Sequence, residues 1–148
     1  MPEVRSAHTY LILTALGNLA RANYLLKLGS GGRIKHFFDT NINAIGGDYT
    51  LPREQVERMC TEATYGSVPW RLYFDPHWTQ LQFQLADREV ECASLRLQMV
   101  LMLTSSEGEQ GRVRGYLARL ATQVKIYTAL RQNIVDAERE VNGVDGVD

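Results

Sequence analysis

The chain has 148 residues, of which 45% are hydrophobic and 22% charged, with a formal net charge of −1. That length suits one domain and the apolar share suffices for a core. A charge so close to zero leaves nothing global to draw the chain to nucleic acid or membrane.

No stretch approaches the ~20 apolar residues that a membrane-spanning helix needs. Tyr10–Leu16, following Arg5, loosely imitates a signal peptide, but Thr14, Asn18 and Arg21 interrupt it. Pro2 excludes N-myristoylation. Cys60 and Cys92 have no neighbours at metal-ligand spacing and read as reduced, buried thiols of a cytoplasmic protein.

The first helix is expected from about Arg5 to Leu28, apolar around most of its surface with one polar strip at Thr14, Asn18 and Arg21. Gly29-Ser30-Gly31-Gly32 ends it, because glycine accepts the left-handed cap conformation. This glycine run lacks the spacing of a nucleotide-binding loop and reads as a helix–helix turn. The second helix is expected from about Arg33 to Ile45, with Ile34, Phe37, Phe38, Ile42 and Ile45 on one face and Gly46-Gly47 as its stop. A third runs from about Pro52 to Thr64, with Val56, Met59, Cys60 and Ala63 as its apolar face.

Tyr65 to Pro76 is irregular and aromatic, with room for a short strand. Asp75-Pro76 reads as a helix start. The fourth helix follows, from about Pro76 to Thr104, and carries two apolar seams stepped by three and four residues. One is Leu81, Leu85, Arg88, Cys92, Leu95, Met99 and Met102; the other is Phe83, Ala86, Val90, Ala93, Leu97 and Val100. Gln82, Glu89 and Arg96 divide them, and the column from Gln80 through Asp87 to Gln98 should face water.

After Ser105-Ser106-Glu107-Gly108, a fifth helix should run from about Gln110 to Glu140. Its seam is Val113, Leu117, Leu120, Val124, Tyr127 and Ile134. The short break folds the two long helices into a hairpin with arms about 45 Å long. A compact chain of this size spans only about 40 Å. The expected fold class is therefore all-α: a helical bundle of about five helices dominated by a long antiparallel C-terminal hairpin. Residues 1–140 form one domain, and 141–148 a disordered tail.

A helix with two apolar faces needs two partners. A homodimer through the hairpin is expected, with Phe83, Val90 and Leu97 of the second seam, and the aromatic residues Trp70, Tyr73 and Phe74, as partner-binding candidates. Arg88 and Arg131 each interrupt a seam at nearly the same level and form a candidate anion-binding pair. Arg112, Arg114, Arg119 and Lys125 lie in a helix with no acid between Gly111 and Val135, which makes them nucleic-acid-binding candidates. They fall on opposite flanks of the seam, which weakens that reading.

His8, His36 and His77 stand at no helical ligand spacing, so neither a metal nor another cofactor is expected. Arg71 and His77 lie at a spacing used by helical ribonucleases, but Pro76 opposes the continuous helix that arrangement needs. No catalytic residue is assigned. The sequence points to a cytoplasmic, non-enzymatic interaction or assembly subunit, ahead of a nucleic-acid-binding subunit and a helical enzyme such as a ribonuclease.

Overall fold

The computed structural model describes the backbone of residues 2–65 and 77–147, and the side chains of 8–60, 77–137 and 140. All regular structure in the described residues is helical: α1 (Pro2–Gly29), α2 (Asp39–Asp48), α3 (Arg53–Tyr65), α4 (Trp78–Leu103) and α5 (Glu107–Val147). The aromatic stretch with Trp70, Arg71, Tyr73, Phe74 and Asp75-Pro76, and the strand entertained there, lie outside the described residues.

The core forms around α1. Ile12, Ala15, Leu16, Leu19, Ala22 and Leu26 are fully buried. This follows from the near-absence of polar residues around most of the helix, which leaves several faces to cover. The most extensive packing in the chain is α1 against α4. On α4 the buried apolar positions are Phe83, Ala86, Val90, Ala93, Leu97 and Val100, which together are the second seam. That seam is thus covered within the chain, and the dimer partner assigned to it from sequence is not needed there. Each fully buried Leu, Ile or Phe contributes roughly 1.5–3 kcal/mol of transfer free energy, so this pairing supplies much of the core.

The polar strips of α1 and α4 meet each other. Asn18 Nδ2 donates to Glu89 Oε2 at 2.7 Å, Arg21 Nη1 lies 3.3 Å from Glu89 Oε1, and Arg96 Nη1 donates to Asn18 Oδ1. Higher numbers on α1 pair with lower numbers on α4, so the two helices run antiparallel. At the far end of this pairing, a Cβ on Gly29 would meet Gln82 Cβ at 3.0 Å and Phe83 Cε1 at 3.4 Å, so glycine is what lets the helices approach. Gln82 is fully buried there, and its amide makes no hydrogen bond among the described residues.

The end of α1 is a Schellman turn. Gly32 N–H reaches Lys27 O at 2.8 Å and Gly31 N–H reaches Leu28 O at 3.2 Å, with Gly31 at φ +62°. The glycine run therefore spends its N–H groups on its own helix. The end of α2 repeats the pattern: Leu51 N–H reaches Gly46 O and Thr50 N–H reaches Gly47 O. Here the left-handed position is Thr50, at φ 51°, a strained choice for a β-branched residue.

α2 begins at Asp39 rather than near Arg33. The Asn23 side chain explains the delay, accepting from Phe38 N–H at 2.7 Å and donating to Asp39 Oδ1 at 2.8 Å. Ser30 Oγ likewise accepts from Ile34 N–H. These side chains offer the backbone partners that helix would otherwise supply, and 33–38 is a turn with His36 at φ 55°. Gly46 and Gly47 do not stop α2, which continues to Asp48.

α5 starts at Glu107, three residues earlier than its periodicity suggests, because Ser106 caps it: Ser106 Oγ accepts from Glu109 N–H at 3.2 Å. It extends to Val147, through most of the segment 141–148 expected from sequence to be a disordered tail. α5 meets α4 near Phe83 and Asp87. It meets α2 where Tyr116 reaches Asp48, and the turn before α2 where Gln123 Nε2 donates to Phe37 O at 3.0 Å.

Candidate functional site: an apolar face on α4 and the polar clusters around it

With the second seam against α1, the first seam of α4 is the one turned to solvent. Leu95 is 58% exposed, Met99 47%, Met102 85% and the adjoining Leu103 57%. Cys92 and Arg88 are exposed on the same stripe, and Leu81 and Leu85 are half-buried at its start. Cys92 is therefore a surface thiol and Cys60 a half-buried one, both free, where sequence suggested two buried ones. From Leu81 to Met102 the stripe spans about 30 Å at 1.5 Å per residue. Scattered exposed leucines are ordinary; several large apolar side chains on one helical stripe are a patch that monomers usually lack.

Phe83, Val90 and Leu97 are buried in the core shared with α1. Phe83 also meets the Tyr127 ring edge-on, with centroids 6.3 Å apart. The Tyr127 hydroxyl lies within hydrogen-bond reach of Phe83 O (2.8 Å) and Asp87 Oδ1 (2.5 Å). Arg131 Nη1 donates to Asp87 Oδ2. Asp87 thus serves two α5 side chains and leaves the water-facing column to which sequence assigned it. Burial and the Asp87 carboxylate both push the Tyr127 phenol above its ordinary range. Burial alone would weaken the Arg131 charge, but the hydrogen bond to Asp87 outweighs it and favours the guanidinium. Arg88, one residue on from Asp87, points to solvent.

Arg112, Arg114, Arg119 and Lys125 are all exposed. Arg112 lies close enough to Tyr49, Glu109 and Tyr116 to act on their charge states.

A second polar cluster joins α1, α2 and α5. His8 Nδ1 lies 3.2 Å from Glu109 Oε1, and the Tyr49 hydroxyl donates to Glu109 Oε2 at 2.8 Å. The Tyr116 hydroxyl donates to Asp48 Oδ2 at 2.6 Å. Burial would raise the Glu109 carboxyl, but hydrogen bonds with Thr104 and Tyr49 and the charges of His8 and Arg112 outweigh it, and it ends below its usual range. Burial pushes both tyrosines up, helped by their carboxylate partners. Sequence reasoning did not find this cluster, whose members are spread from position 8 to 116. The one local signal was the Ser106-x-x-Glu109 capping box, in which the glutamate should reach back to its own helix start. Instead it reaches α1 and α2.

Among the described residues no three His, Cys, Asp or Glu side chains gather as metal ligands would. No helix among them is long and apolar enough to cross a membrane. Compared with protein-family models, curated proteins and solved structures, the chain matches none.

Proposed function

We propose that this chain is a helical assembly subunit that pairs with a second copy of itself through the exposed stripe of α4. The observation that supports this is the run Leu95, Met99, Met102 and Leu103, left in solvent on a helix whose other seam is already satisfied. Its three-and-four spacing is that of helices that interlock side by side. Methionine adapts to an opposing surface with little penalty. A stripe about 30 Å long and one helix wide buries, on self-pairing, an area near the lower edge of stable interfaces, roughly 1,000 Å² in total. The α4–α5 contacts at Phe83–Tyr127 and Asp87–Arg131 favour a hairpin in which α5 braces the back of the pairing helix.

Sedimentation or light scattering across the micromolar range tests this. The wild type should shift from monomer to dimer with concentration, and Leu95→Glu with Met99→Glu should stay monomeric with an unchanged helical spectrum. A concentration-independent monomer mass for the wild type would sink the proposal. Tight, salt-sensitive binding of a nonspecific oligonucleotide, lost on Arg112→Glu with Arg119→Glu, would favour the nucleic-acid reading instead.

A further inference from the structure

α1, α2 and α3 enclose a cleft of about 980 Å³, at the upper end of the range that small-molecule sites occupy. Its wall is apolar where Ala20, Ile42, Leu51 and Val56 face it. The cleft has a physical cause in two glycines of α2. A Cβ on Gly46 would stand 3.3 Å from Val56 Cγ2, so α2 and α3 touch there. One residue on, a Cβ on Gly47 would meet nothing within 4 Å, and the space opens.

Charged groups surround this apolar interior, and they do not cancel. His36 Nδ1 is 3.0 Å from Asp39 Oδ2, and Arg53 Nε is 3.2 Å from Glu57 Oε1. Lys27 and Lys35 also line the cleft and form no ion pair among the described residues. Histidine carries a charge only when protonated; with His36 neutral, Lys27, Lys35 and Arg53 stand against Asp39 and Glu57, a surplus of one positive charge in the lining. Lys35 rises from the turn that Asn23 fastens to α1 through Phe38 and Asp39. The next residue, His36, holds a left-handed backbone at φ 55°, the kind of local strain that concentrates at binding sites. The two lysines are thus carried on backbone tied to the cleft, and the charge surplus they create is local, since the whole chain carries −1.

We propose that this cleft binds a small amphiphilic anion: an apolar body against Ile42 and Val56, with a single carboxylate or phosphate head between Lys27 and Lys35. This site is separate from the α4 stripe, and neither proposal depends on the other.

Cys60 lines the same cleft, half-buried, and provides a reporter. In a Cys92→Ser background, alkylation of Cys60 is followed while decanoate or decyl phosphate is titrated below its micelle concentration. Decanol and inorganic phosphate serve as the neutral and headgroup-only arms. Saturable protection by the amphiphilic anions is expected, at least ten-fold in rate. The carboxylate and phosphate arms show which head is preferred, and neither neutral chain nor bare phosphate should protect comparably. Lys27→Gln with Lys35→Gln should raise the apparent Kd at least ten-fold, with the unliganded melt unchanged because both side chains are exposed. Gly47→Leu should fill the open space, abolish titration-dependent protection and melt no lower than the wild type, since leucine favours helix over glycine. Binding by this variant is also read by calorimetry, which does not depend on access to Cys60. The proposal is overturned if no amphiphilic anion protects, if decanol protects equally, or if either variant binds like the wild type.

Discussion

Leu95 and Leu97 lie two residues apart in the middle of α4, and the structure assigns them opposite environments: Leu95 is 58% exposed and Leu97 fully buried against the α1 side of the core. Replacing each by alanine makes the same chemical deletion on the same helix, so the difference in intrinsic helix propensity is common to both and cancels. At Leu97 the deletion removes buried apolar surface and leaves a cavity, which costs about 3 kcal/mol. For a chain of this size that is a fall in Tm of roughly 6–12 °C. At Leu95 the cost should be about 0.5 kcal/mol or less, as for surface substitutions generally. Urea unfolding followed by far-UV circular dichroism, at submicromolar protein to suppress association, measures both. The slope against urea should be unchanged, so that the shift in midpoint reports stability. Equal losses at the two positions, or a larger one at Leu95, would refute the assignment of the second seam to α1. Repeating the pair at tens of micromolar adds a check on self-pairing: the cost of Leu95→Ala should grow with concentration, while that of Leu97→Ala should grow little.

Gln82→Met should raise stability by about 1–3 kcal/mol, because it removes a buried amide that makes no hydrogen bond among the described residues while nearly keeping its volume; a lower urea midpoint would show that the amide is satisfied. Glu109, whose carboxyl lies below its usual range when folded, gives up its proton more readily in the native state. Unfolded chains then bind more protons just below the ordinary carboxylate pKa, so its stabilisation is full above about pH 4.5 and fades as pH falls through the folded value. Glu109→Gln should flatten that part of the stability–pH curve, and an unchanged acid limb would count against the cluster.

The helices themselves were legible in the sequence, because apolar periodicity and the Gly29–Gly32 and Ser105–Gly108 breaks are local signals. The start of α2 was not. Phe37 and Phe38 continue the apolar face of Ile42 and Ile45, and only the side chain of Asn23, fifteen positions before Phe38, withdraws that backbone from the helix. On α4 both seams could be read from spacing, but which one met α1 could not. The deciding complementarity is between the strips at Asn18 and Arg21 and at Glu89 and Arg96, which are some seventy positions apart. The cleft and the His8–Glu109 cluster escaped for the same reason, since each draws single residues from several helices and none carries a motif alone. Arg131 illustrates the intermediate case: its need for an acid was readable, and Asp87 is the acid it uses.

The antiparallel partnership of α1 and α4 has a consequence for biosynthesis. Among the described helices α1 is the most apolar, and it is made well before its main partner, which lies some seventy residues further along the chain. At about 5–20 residues per second, several seconds pass between completion of Asn18 and arrival of Glu89. During that interval Ile12, Leu16, Leu19 and Leu26, all fully buried in the finished fold, have α2 and α3 to pack on but not α4. A ribosome-bound chain truncated before Trp78 should therefore be a strong client for holding chaperones, and extension past Leu103 should release it.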